Sequence, residues 1–138
     1  MKIIKSKLIK SKFRKPKLIK SKYDGVSYEL HPGRGRLCTM LYPRYNNIKN
    51  GRVLERFMVG EVSNFYSEIK KILEEVNNNG GYYECGFNIC DVDFTKEYIK
   101  VIDLYADEDD DYSDECVIKT DLFNLLLEEY YDYINRFV

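Results

Sequence analysis

Two stretches of helical period bracket a run of short segments with period two, and this ordering limits the fold more than any other feature of the sequence. From Ser63 onward, apolar side chains recur at Phe65, Ile69, Ile72, Leu73 and Val76, which is one face of a helix. Ser63 suits the N-cap and Asn79-Gly80-Gly81 the stop, predicting a helix over about 63–79. A second stripe (Leu122, Phe123, Leu126, Tyr130, Ile134 and Phe137) predicts a helix over about 121–137, capped by Thr120 or Asp121. Between them, strands are expected over 82–88, 89–94, 98–105 and 116–119. In the second of these, Cys90, Val92 and Phe94 fall on one face while Asp91 and Asp93 fall on the other.

The chain before Ser63 reads as an antiparallel meander. Asp24-Gly25 is a tight hairpin signal, and His31-Pro32-Gly33-Arg34-Gly35-Arg36 is a turn-rich loop. A strand is expected from Leu37 to Tyr42, with Leu37, Thr39 and Leu41 on one face and Pro43 ending it. Asn50-Gly51 marks a further turn, followed by an expected strand from Val53 to Val59. Strand runs separated by long helices, without βαβ alternation, predict an α+β fold with a largely antiparallel sheet of about five to seven strands and two main helices.

The N-terminus departs from this pattern. Read in fives, Lys2 to Val26 gives KIIKS, KLIKS, KFRKP, KLIKS and KYDGV. A period of five matches neither helix nor strand. Stacked repeat coils need several turns to bury a core, and this is barely one. Residues 1–16 therefore read as a basic arm of pentad repeats, and residues 17–138 as a single α+β domain, a size that suits one core. The apolar residues of the arm are broken by lysines, so it lacks the apolar run of a secretory signal. Nor does any window approach eighteen apolar residues, so no membrane span is expected and the cytoplasm is the expected location. Cys38, Cys85, Cys90 and Cys116 lack CxxC spacing and read as reduced thiols.

The formal net charge of −1 conceals a separation: residues 1–90 carry a balance of +10, and residues 91–138 one of −11. Seven of the nine residues from Asp107 to Glu115 are carboxylates. Asp107, Glu108, Asp109, Asp110 and Asp111 imitate the start of a calcium loop. Tyr112 stands where that loop needs glycine, and Ile118 where it needs glutamate, which excludes an EF-hand. Tyrosines lie among the acids, and acid plus tyrosine would imitate a phosphate-and-base surface for a basic partner. The candidate contact residues are Asp107, Glu108, Asp109, Asp110, Asp111, Tyr112, Asp114 and Glu115, with Glu128, Tyr131 and Asp132 on the last helix.

Catalysis finds little support in the sequence. The one histidine, His31, sits before a proline with no cysteine close in sequence, Cys85-x4-Cys90 is a poor zinc pair, and Asp91-x-Asp93 reads as the solvated side of a strand. Neither an enzyme nor a cofactor is expected. Gly33-Arg34-Gly35-Arg36 and the ten basic residues among the first 22 admit an alternative, a nucleic-acid-associated or regulatory module working through the arm.

Three stretches carry a resemblance: Gly60-Glu61-Val62 running into NFYSEIKKIL, then CGFNICDVDFTKEYIKVIDLY, then IKTDLFNLLLEEY, together spanning roughly residues 59–134. In pattern and element order the chain resembles small immunity proteins of bacterial polymorphic-toxin and contact-dependent growth inhibition systems. The resemblance implies a cytosolic, non-catalytic binder that neutralises one cognate toxin domain, often a nuclease, by steric occlusion. It carries over no contact residues, because that family does not share them.

Overall fold

The computed structural model of the chain describes residues 16–33, 39–106 and 114–138. The elements are β1 (Lys17–Lys20), β2 (Val26–His31), β3 (Met40–Tyr45), α1 (Gly51–Phe57), a π-helical turn (Met58–Val62), α2 (Ser63–Asn79), β4 (Tyr82–Gly86), β5 (Cys90–Thr95), β6 (Tyr98–Asp103), β7 (Glu115–Lys119) and α3 (Thr120–Phe137). The fold is α+β. The seven strands among the described residues divide into two sheets, ordered β1-β2-β3 and β4-β5-β6-β7, and every neighbouring pair is antiparallel. No helix among the described residues is long and apolar enough to cross a membrane.

The largest correction to the sequence reading lies at residues 51–62. The strand expected from Val53 to Val59 is helix α1, which runs through the π turn into α2 without a break. Val53, Leu54, Phe57, Met58 and Val62 are all fully buried, and their spacing is helical. Asn50-Gly51 serves this helix rather than a hairpin. Asn50 takes the left-handed conformation (φ 58) ahead of the first turn, and a Cβ at Gly51 would collide with the backbone carbonyl oxygen of Tyr45. Ser63 is consequently no cap: its backbone is helical and the chain before it is already wound.

A smaller correction concerns β3. The strand expected at Leu37–Tyr42 instead spans Met40–Tyr45 and contains Pro43, opposite Tyr28. Proline is tolerated there because β3 is the last strand of its sheet and needs no second ladder partner. The Asp24-Gly25 hairpin joins β1 to β2 as expected, with Gly25 at φ 73.

One hydrophobic cluster joins the two sheets. Tyr28, Leu41 and Tyr45 enter it from the first, Val92, Phe94, Ile99, Val101 and Ile118 from the second, and Phe57, Ile69, Phe123 and Leu126 from the helices. Strict alternation in β5 and β6 sends one set of side chains into this cluster and leaves the other set outside.

Candidate functional site

The last helix holds three of the candidate contact residues, and its best-placed polar groups face inward. The buried Glu129 accepts hydrogen bonds from the Tyr28 hydroxyl at 2.8 Å, from the backbone N–H of Lys22 at 2.9 Å, and from the Ser21 hydroxyl. The Tyr130 hydroxyl donates to the Leu41 carbonyl at 2.9 Å and that of Tyr133 to the Lys20 carbonyl at 3.0 Å. These groups pin α3 to the first sheet. Burial raises both phenols above their ordinary pKa.

Glu128 and Tyr131 instead face α2. Glu128 lies 2.9 Å from the Lys70 ammonium and accepts the Tyr66 hydroxyl at 2.7 Å, while the Tyr66 and Tyr131 rings stack face to face with centroids 3.5 Å apart. Partial burial alone would raise the Glu128 pKa. The bonds from Lys70 and Tyr66 outweigh it and hold the carboxyl below its usual value. Asp132 is exposed and 3.5 Å from Arg136, one turn along. Asp107, Glu108, Asp109, Asp110, Asp111 and Tyr112 lie outside the described residues.

Asp114 and Glu115 sit at the start of β7, at one end of the second sheet, where the Asp114 carbonyl accepts the backbone N–H of Asp103 at 2.8 Å. That position draws attention to a surface the sequence reading passed over. Opposite residues across an antiparallel ladder share a face, so the register assigns two rows to the side turned away from the core. One is Glu84-Asp93-Lys100-Val117, and the other is Gly86-Asp91-Ile102-Glu115. Tyr98 and Lys119 pair on the same side beyond them.

Of the alternate rows, Phe94-Ile99-Ile118 and Val92-Val101-Cys116 supply the core, while at the β4 end Cys85 packs against it and Tyr83 is exposed. On the outer side Tyr82 and Val117 remain more than half exposed, at 56% and 57%. Four carboxylates share this side with two lysines, and one lysine is engaged, Lys100 lying 3.2 Å from Glu115. The result is a net acidic surface carrying Tyr82, Tyr98 and Val117. Its signal in the sequence was the alternation around Asp91 and Asp93, which gives strand phase but not what covers the second side.

A polar cluster also lies under the π turn. Glu61 is fully buried there and accepts the backbone N–H of Ile89 at 3.2 Å, and Arg56 reaches the buried Asp103 at 3.2 Å. Cys90 is buried among these carboxylates. Desolvation, reinforced by Asp103 and Glu61, pushes its thiol up to about 12. Burial likewise takes Cys116 to about 11 and raises Cys85, so none of the three described cysteines is a thiolate nucleophile near neutral pH.

Above this cluster a cleft of about 330 Å³ is lined by Tyr42, Arg44, Arg52, Glu55, Arg56 and Ile89, among others. Arg44 is held by Glu29 at 3.1 Å and Glu55 at 3.5 Å, as Arg56 is by Asp103, so much of the charge here is matched internally. His31 stands edge-on to Tyr42, 3.6 Å from Glu29. No set of three or more metal-ligating side chains converges among the described residues.

No family model, curated protein or solved structure matches the chain.

Proposed function

We propose that the chain is an immunity-type binding protein, which neutralises a basic toxin domain in the cytoplasm by covering it with the outer side of the second sheet. The observation that carries this reading is the pairing of exposed Tyr82, Tyr98 and Val117 with Glu84, Asp91 and Asp93 on the side of the second sheet turned away from the core. A solvated sheet face is ordinarily polar and evenly charged. Aromatic area interleaved with a net acidic charge instead suits a partner that is both basic and desolvated on contact. The acidic run 107–115 leads directly into β7, at the end of the same sheet, and would add to the attractive field.

On this reading the tyrosines hold the complex, the carboxylates speed its formation, and no bond of the partner is cut. Steric occlusion of a nuclease needs no chemistry from the inhibitor. Co-expression with the product of the adjacent gene, followed by co-purification, is the direct test. A stable complex is expected, and its absence at micromolar concentrations contradicts the proposal.

A further inference from the structure

An edge strand turns half of its backbone N–H and C=O groups away from its one neighbour, and the two sheets have such edges at β1, β3, β4 and β7. Three of these are unsuited to pairing with a second copy of the chain. β3 carries Pro43, which has no N–H to offer, and its Leu41 carbonyl and Tyr45 N–H are taken by the Tyr130 hydroxyl at 2.9 Å and the Glu55 carboxylate at 3.0 Å. β1 has lysines at both ends, Lys17 and Lys20, and the Lys20 carbonyl accepts the Tyr133 hydroxyl at 3.0 Å. On β4, the bond from the Phe87 N–H to the Cys90 carbonyl continues the ladder with β5, so alternation turns Tyr82, Glu84 and Gly86 outward. Two antiparallel β4 strands paired over their full length would set Glu84 opposite Glu84, and like charges directly opposite are unfavourable.

β7 is different. The bond between the Asp103 N–H and the Asp114 carbonyl fixes the phase of its ladder with β6, and alternation turns the backbone groups of Glu115, Val117 and Lys119 outward. The Asn50 side chain, donating to the Glu115 carbonyl at 2.8 Å, marks that outward side. Val117 is 57% exposed, Lys119 is exposed, and a cleft of about 310 Å³ lined by Lys49, Asn50, Glu115 and Val117 lies beside them. The central residue of this edge is thus an exposed β-branched side chain, with an acid two residues before it and a base two residues after it. Turned antiparallel against itself, that pattern is its own complement.

We propose that β7 is a self-association edge: two copies of the chain pair antiparallel through it, with Val117 opposite Val117 and Glu115 opposite Lys119 of the other copy at both ends. The Val117 N–H and C=O bond their counterparts, and the Lys119 N–H meets the Glu115 carbonyl, whose second lone pair accepts it beside Asn50. Each Glu115 carboxylate then lies between Lys100 of its own sheet, 3.2 Å away, and Lys119 of the other copy. Opposite residues of an antiparallel pair share a face, so the two-fold axis stands perpendicular to the sheet. The second sheets join into one of eight strands, four from each copy, with both acidic outer sides turned the same way. The contact is only five residues long on each side, which makes the dimer weak, with a Kd of roughly 100 μM. It forms whether or not the outer side holds a partner.

Sedimentation equilibrium of the full chain, taken to about 1 mM, tests this alongside two charge-reversed variants, Glu115→Lys and Lys119→Glu. The native chain should dimerise. Each variant by itself sets like charges opposite at both ends of the pair and should weaken self-association by roughly tenfold. An equimolar mixture of the two should restore it, because every lysine then faces a glutamate. In a half-labelled sample of the native chain, isotope-filtered spectra should show contacts between the α protons of Cys116 in one copy and Ile118 in the other, the closely spaced pairs on either side of Val117. A native chain that stays monomeric at the highest concentration overturns the proposal. So does a dimer that both variants keep, or a mixture that associates no more tightly than its components.

Discussion

Glu129 and Asp93 are both carboxylates close to tyrosines, both in the acidic C-terminal third of the chain, and they do opposite things. Glu129 is buried and bonded three times, by Tyr28, Ser21 and Lys22, so its charge is consumed in fixing α3 to the first sheet. Asp93 stands half-buried on the outer side of the second sheet, between Glu84 and Lys100 in the ladder, where its charge contributes to the field seen by an approaching molecule. The lesson is that an acidic excess has to be sorted by burial before it is read as a binding surface. Of the −11 balance that drew attention to residues 91–138, Glu129, Glu128 and Asp103 serve the fold.

The sharpest way to break this contrast is to change Glu129 itself. Glu129→Ala leaves a buried phenol, a hydroxyl and a backbone N–H without their acceptor, and should cost about 3 kcal/mol in urea unfolding. A loss under about 1 kcal/mol would place Glu129 with the surface acids instead. Tyr28→Phe removes one of the three bonds but keeps the ring and the two remaining donors. About 1 kcal/mol is expected from the same measurement.

Glu128 lies between the extremes and sharpens the comparison by its pH dependence. Its folded pKa is lowered, so its contribution is present above the unfolded value near 4.5 and is lost as pH falls through the folded value. The side chain is 44% exposed, which limits the effect to under about 1 kcal/mol. Urea midpoints of the native chain and of Glu128→Gln should converge between pH 5 and pH 3. Parallel curves across that range would mean that the Lys70 and Tyr66 contacts carry no stability. Smallest of all should be the effect on folding of Asp91→Asn with Asp93→Asn, within about 0.5 kcal/mol, since neither carboxylate is spent on the core.

How far the sequence could lead depended on how many sides of each element are covered. α3 was legible within a residue at each end, and the inner face of β5 residue by residue, because a single buried stripe writes its period plainly. Helix α1 was not. Val53, Leu54, Phe57 and Met58 have helical spacing, but Asn50-Gly51 shortly before them imitates a hairpin turn, and five apolar residues in the seven from Val53 to Val59 are also what a short buried strand carries. The division into two sheets was also hidden, since strand patterns give phase and not partner. As for the site, Glu129 shares a helical row with Leu122, Leu126 and Tyr133, so its inward position was readable, whereas adjacent Glu128 could be placed only with α2 in view. The acidic outer side of the second sheet needed the register, which brings Glu84 beside Asp93 across the 80s turn.

The central claim is that this outer side, not α3, meets the partner. Its most direct test is stopped-flow association with the product of the adjacent gene at two ionic strengths. Three proteins are compared: the native chain, Glu84→Gln/Asp91→Asn/Asp93→Asn, and Glu128→Gln/Asp132→Asn on the helix. The account predicts that the sheet triple lowers the on-rate by roughly tenfold and flattens its salt dependence, because clustered charges act through their summed field. The helix pair should leave both nearly unchanged. An unaltered on-rate and salt slope in the sheet triple, or an equal loss in the helix pair, would contradict it.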